Sequence, residues 1–143
     1  MKLKIKRLDE RAIIPKFATD GAACFDLHAI DSGIVFGDDS REFETGLAFE
    51  VPPSHVMLVY SRSGHGFKSD IRLSNCVGVV DSDYRGSVAV KLRADNVELS
   101  THFAAGDRIA QAMIVALPVV QIEEVDELSD TARGAAGFGS TGN

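Results

Sequence analysis

Residues 43–51 read FETGLAFEV, with apolar side chains at Phe43, Leu47, Phe49 and Val51 and Thr45 in the same phase. A period of two places them on one face of an extended chain and Glu44 and Glu50 on the other, as in a strand half buried against a core. The same alternation recurs in Leu3 to Leu8, Val56 to Tyr60 and Val88 to Leu92, while the spacing of an amphipathic helix is largely missing. Turn-forming residues punctuate these windows at Asp31-Ser32-Gly33, Gly37-Asp38-Asp39, Pro52-Pro53, Ser63-Gly64, Arg85-Gly86 and Gly106-Asp107. Many short strands with frequent turns predict an all-β sandwich, barrel or jelly roll. Ile109 to Val120 is apolar enough to predict a central strand buried on both faces, with Pro118 near its end. One helical turn is expected after Ser63.

At 143 residues the chain fits one domain, and that size buries enough surface to fold without disulfides or a structural metal. Fifteen Lys and Arg against 21 Asp and Glu give a net charge of −6, which disfavours broad attraction to nucleic-acid phosphates. A phosphorylated substrate would need a local cationic site or a metal. Cys24 and Cys76 are too few for a disulfide framework or a zinc site, so a reducing cytoplasm is the expected setting. The N-terminal MKLKIKRLDER never develops the apolar run of a secretory signal, and no stretch reaches the ~20 apolar residues of a membrane span. No membrane or nucleic-acid partner is expected.

Five segments carry the candidate chemistry. In ACFDLHA (23–29), Asp26 lies between two apolar residues, at a position read most often as a solvated alternation site and less often as a metal or water ligand. In SRSGHGFK (61–68), Arg62 and Ser63 precede a glycine and could grip phosphate oxygens, although surface turns often read the same way. In GVVDSDYRG (78–86), Asp81 and Asp83 are two apart and share a side if the chain is extended; such carboxylates hold a metal, supply a base or cap a turn. In GDRIAQ (106–111), Asp107 and Arg108 read as an ion pair at a sheet edge, while Gln111 is an amide in need of partners on an apolar strand. The tail TARGAAGFGSTGN (131–143) combines costly-to-order glycines with Arg133, Phe138, Ser140 and Thr141, suiting a lid over a phosphate ester better than a frayed end. The four histidines show no metal-ligand spacing and read as surface residues, and neither cysteine has a partner marking it as a nucleophile.

Taken in order, these segments closely resemble the five motifs of the trimeric deoxyuridine triphosphate nucleotidohydrolases, the dUTPases. The resemblance implies a jelly-roll or β-clip domain over residues 1–130 and a flexible arm over 131–143. It also implies a homotrimer whose active sites are shared between subunits, and Mg²⁺ on the triphosphate. The implied reaction is hydrolysis of dUTP to dUMP and pyrophosphate, which limits uracil incorporation into DNA and supplies dUMP for dTMP synthesis. By the same resemblance Asp81 is the general base, and Arg62, Ser63, Gly64, Gln111, Arg133, Ser140 and Thr141 contact the phosphates. Asn75, Gly78, Tyr84 and Phe138 surround uracil and deoxyribose: the hairpin backbone from Asn75 to Tyr84 reads the base, Tyr84 packs on the sugar and Phe138 stacks. No residue binds the metal directly, and Asp26 holds its waters. Two positions depart from the family pattern, Cys24 where glycine is usual and His65 where an apolar residue commonly stands.

Two other readings compete. A deoxycytidine triphosphate deaminase shares the fold and triphosphate site but attacks the base, whereas the Asp81 to Tyr84 signature with an intact GFGSTG arm points to phosphorus chemistry. A jelly-roll module that binds dUTP or a protein as a signal is the alternative from outside enzymology, and nothing in the active-site residues suggests that catalysis is lost.

Overall fold

The computed structural model describes residues 1–36, 40–95 and 103–137. Within them the chain runs β1 (Lys4–Arg7), β2 (Phe25–His28), β3 (Ile34–Phe36), β4 (Ser40–Glu44), β5 (Leu47–Glu50), β6 (His55–Tyr60), α1 (Ser63–Ser69), β7 (Ile71–Leu73), β8 (Val77–Val80), β9 (Ala89–Ala94) and β10 (Arg108–Ala116). Two antiparallel sheets of four strands form the body, ordered β2-β10-β6-β8 and β3-β4-β9-β7, with β1 and β5 as a separate ribbon. The fold is all-β and jelly-roll-like, as the alternation predicts.

Alternation works here because each sheet presents one face inward. Leu27 on β2, Met57 and Val59 on β6, and Ile109 and Ala112 on β10 join Phe43 on β4, Leu73 on β7 and Val90 and Leu92 on β9 in a single buried cluster. Burial of each large side chain contributes roughly 1.5–3 kcal/mol, which outweighs the weak intrinsic preferences of strands this short.

The FETGLAFEV stretch is two strands. β4 pairs with β9, whereas β5 pairs with β1, and the break falls at Thr45-Gly46. Gly46 has φ +64°, and a Cβ there would lie 3.0 Å from Asp9 Cβ and 3.1 Å from Ala12 Cβ, so only glycine turns this corner without strain. Thr45 is fully buried, and its hydroxyl donates to Val88 O at 2.6 Å and accepts from Leu47 N at 3.3 Å. The threonine thereby satisfies main-chain groups that a broken ladder would orphan.

β10 is central, flanked by β2 and β6, but it ends at Ala116 and does not reach Val120. Ile109, Ala110 and Ala112 are buried, while Leu117, Val119 and Val120 are exposed. Pro118 cannot donate to a ladder, so the apolar run beyond it leaves the sheet. The short helix α1 holds two glycines and buries no residue, and it ends on Asp70 in the left-handed region, whose N–H donates to His65 O.

Candidate active site

Three strands and the start of α1 assemble a polar cluster at one end of the first sheet. β10 lies between β2 and β6 with Gln111 opposite both Asp26 and Tyr60, which brings the first, second and fourth segments together. Arg62, the N-cap of α1, donates from Nε to Asp26 Oδ1 at 2.9 Å, and Arg108 donates from Nη1 to Asp26 Oδ2 at 3.3 Å. Gln111 donates from Nε2 to Ser61 O at 2.9 Å, pinning the chain just before Arg62. Ser63 and Gly64 open the helix, and as first-turn residues their amides have no intrahelical acceptor. Outside its own helix backbone and chain neighbours, no described heavy atom lies within 4 Å of where a Gly64 Cβ would sit, so this side of the turn is open.

Two expectations are corrected in this cluster. Asp26 is not a solvated alternation position: its side chain is 17% exposed and held by two arginines. Arg108 pairs with Asp26 and not with Asp107, whose Oδ2 instead accepts from Ala104 N at 2.7 Å, closing the turn into β10. The irregular register between Arg108 and Ala110 accompanies this arrangement.

The third segment builds a different surface. Among the described residues β8 pairs with β6 alone and is the edge of its sheet, while the following strand, β9, belongs to the other sheet. The stretch from Asn75 to Tyr84 is therefore not a paired hairpin but an edge strand bounded by turns at both ends. A cavity of about 560 Å³ opens between β8 and β9, within the usual range for small-molecule sites, and Asn75, Gly78, Val80, Tyr84 and Lys91 are among its lining residues. An edge strand leaves alternate N–H and C=O groups without ladder partners. Cys76 enters the strand at φ +64°, and its N–H donates to Leu73 O.

Asp81 follows directly on lining residue Val80. Tyr84 N donates to Asp81 O at 3.2 Å, so a turn carries the two aspartates and they do not share one face of an extended chain. Both are exposed, and no described residue donates a hydrogen bond to the Asp81 carboxylate. The Tyr84 hydroxyl donates to Ser87 O at 2.9 Å, folding the ring over Gly86. A Cβ on Gly86 would lie 2.6 Å from Tyr84 Cζ, so a side chain here would push the ring from this position. Gly78 is tight for a related reason, since its Cβ would meet Val59 Cβ at 3.1 Å. Gly86 went unassigned in the sequence; its position two residues after an aromatic was the available signal.

The two surfaces touch where Leu73 N donates to Ser61 Oγ at 2.9 Å, but Asp81 and Arg62 lie at opposite ends of β6. Val80 pairs with Met57 near the start of β6, whereas Arg62 lies just beyond its other end at Tyr60. At about 3.3 Å per residue, Asp81 and Arg62 stand on the order of 20 Å apart along the strand. In the arm, Arg133 donates from Nε to Ala136 O at 3.1 Å, curling onto its own backbone. Phe138, Ser140 and Thr141 lie outside the described residues.

Two histidines are not surface residues. His28 and His65 are half buried, and in each Nδ1 is buried without a partner among the described residues. Burial is the main cause that pulls both below histidine's ordinary pKa. Burial, and then Asp26, pushes the Cys24 thiol up, which agrees with its reading as an inert residue. Among the described residues no three His, Cys, Asp or Glu side chains cluster to hold a metal ion, and no helix is long and apolar enough to cross a membrane.

The family model described as dUTPase matches residues 10–142. The deoxyuridine 5'-triphosphate nucleotidohydrolase of Nautilia profundicola is 48% identical to this chain, with 99% of each covered. That of Helicobacter hepaticus is 40% identical over 99% of this chain and 89% of its own length. Among solved structures, a mutant dUTPase of Staphylococcus bacteriophage 80alpha with dUpNHpp superposes at a TM-score of 0.86 with 22% identity, covering 99% of both chains. A mutant dUTPase from phage phi11 of S. aureus, a structure concerned with coordination of a structural Mg(II) ion, gives 0.79 at 20% identity over 91% of this chain and 100% of that one. With nearly full coverage at up to 48% identity and a fold shared with these structures, the chain belongs to the dUTPase family.

Proposed function

We propose that the protein hydrolyses dUTP to dUMP and pyrophosphate, using Asp81 to activate the water that attacks the α-phosphorus. The observation that carries this reading is the cavity beside β8, where Asn75, Gly78 and Tyr84 meet and next to which Asp81 stands exposed and unpaired. An exposed carboxylate oxygen with no donor of its own is free to accept a proton from water as the new P–O bond forms. The unpaired edge of β8 supplies main-chain donors and acceptors to the uracil edge. Cytosine's amino group would leave such groups mispaired, and thymine's methyl would have no space. Tyr84, oriented by its hydrogen bond to Ser87 O, packs against the deoxyribose and excludes a 2′-hydroxyl.

Arg62, Ser63, Gly64 and Gln111 bind the phosphates, with Arg62 aimed by its ion pair to Asp26. Their separation from Asp81 within one chain supports a site assembled from different copies, as in a homotrimer. The exposed apolar side chains after β10, Val119 at 90% and Ile122 at 98%, also favour burial against another subunit. Residues 131–143 act as an arm distinct from the domain of residues 1–130, with Arg133, Ser140 and Thr141 on the phosphates and Phe138 over the base. Ordering its glycines costs free energy, so closure requires the offset of charged hydrogen bonds and stacking.

Mg²⁺ is the expected cofactor, carried on the triphosphate oxygens. Each Asp26 oxygen has one arginine partner and lone-pair capacity left over, which suits a role holding metal-bound water better than direct ligation beside two cations. When bound, the ion supplies positive charge against the leaving pyrophosphate.

The test is pyrophosphate release from dUTP, UTP, dTTP and dCTP with and without Mg²⁺, alongside the solution mass. Rapid Mg²⁺-dependent release from dUTP by a trimer is expected. Ammonia from dCTP without pyrophosphate from dUTP would overturn the reading.

A further inference from the structure

We propose that His65 is a positioning residue for Arg62, its neutral ring accepting a guanidinium hydrogen bond that holds the cation ready for phosphate, and that acid abolishes this hold. The inference rests on the dUTP reading and adds a residue that departs from the family pattern. Arg62 Nη1 lies 3.4 Å from His65 Nε2, one helical turn along α1. A guanidinium has five donors and no acceptor, so the histidine must accept, which requires an unprotonated Nε2 and a proton on Nδ1. Asp26 anchors the same guanidinium through Nε at 2.9 Å. Two acceptors thus fix the Arg62 plane on two sides and leave both Nη2 hydrogens for a ligand.

The surroundings keep the ring neutral. Phe103 packs on it with ring centroids 4.9 Å apart. The charged groups facing it are Arg62 at the start of its own helix, Arg108 on β10, Asp26 on β2 and Asp107 in the turn before β10. Burial comes first and the two arginines next in lowering its pKa, against a smaller opposing pull from the acids. A cavity of about 320 Å³ lined by Arg62, His65, Phe103, Asp107 and Arg108 opens beside it, so the ring remains reachable by protons. Protonation turns Nε2 from acceptor to donor and sets two cations face to face.

The sign follows: KM for dUTP should be flat above histidine's ordinary value of 6.5 and rise below it. The experiment measures kcat and KM from about pH 5 to 8 for the unaltered protein, His65→Leu and His65→Gln. His65→Leu keeps the apolar packing and loses the acceptor. It should raise KM at neutral pH by about 3- to 10-fold with kcat within about two-fold, and flatten the acid rise relative to the unaltered protein. His65→Gln offers an amide oxygen and should restore KM at neutral pH without the extra acid rise. Unchanged KM in His65→Leu, or an equal acid rise in all three proteins, would overturn the inference. Nitrogen NMR of the imidazole in the unaltered protein tests it without substitution: an unprotonated Nε2 at neutral pH is expected, and a protonated one overturns it. An unaltered protein that releases no pyrophosphate from dUTP would instead remove the function proposed above.

Discussion

The two candidate surfaces are built in opposite ways. Around Asp26, each important side chain is already spoken for: Arg62 and Arg108 hold the carboxylate, and Gln111 holds Ser61 O. Around Asp81, the carboxylate and the strand edge beside it are left open. The first is a preorganised cation, its long arginine already ordered by a half-buried ion pair. The second is an exposed carboxylate with no described donor, as the proposed role of a base requires. On the function proposed above, a site that needs both would bring them together across a subunit boundary.

Breaking the open surface should cost the most. Asp81→Asn is expected to cut turnover by about 10²- to 10⁴-fold while dUTP affinity stays within about an order of magnitude. Its thermal unfolding should be unchanged, because the side chain is exposed; a large loss of stability would show that Asp81 serves the fold. Asp26→Ala strikes the closed surface and should do both kinds of damage. Steady-state kinetics should show KM rising by about ten-fold, and denaturant titration a loss of about 1–3 kcal/mol, because Arg62, largely enclosed, loses its charged partner.

Gly86→Ala sharpens the comparison from the other side. The added methyl displaces the Tyr84 ring, so discrimination of dUTP over UTP should fall by about 3- to 10-fold, read as a ratio of kcat/KM, with stability nearly intact. The smallest effect belongs to Lys4→Ala. That exposed side chain pairs with Glu50 at 2.7 Å, and denaturant titration should register almost no loss. A Lys4→Ala loss equal to that of Asp26→Ala would dissolve the distinction between solvated and enclosed ion pairs drawn here.

Several site residues could be singled out in sequence because their chemistry is local. Asp81 beside Tyr84 and Arg62 before Ser63-Gly64 are legible as neighbours along the chain. Asp26 was ambiguous by itself, since an acid alternating with Phe25 and Leu27 looks solvated until β10 and the start of α1 close over it. His65 read as a surface residue because the rings and charges that bury it come from other parts of the chain. The exposed stretch after Ala116 was misread for the converse reason: apolar composition reports a need for burial without saying which molecule supplies it.

By itself, then, the amino-acid order determined the all-β class, the order of the five chemical segments and the reaction they resemble, since period-two burial and motif spacing are properties of neighbouring residues. Tertiary structure alone decided that FETGLAFEV splits at Gly46, that Arg108 chooses Asp26 over adjacent Asp107, and that Asp81 and Arg62 face different ends of one strand. Those outcomes depend on which strands pair and in what register, and pairing between residues dozens of positions apart is settled by how the whole core packs.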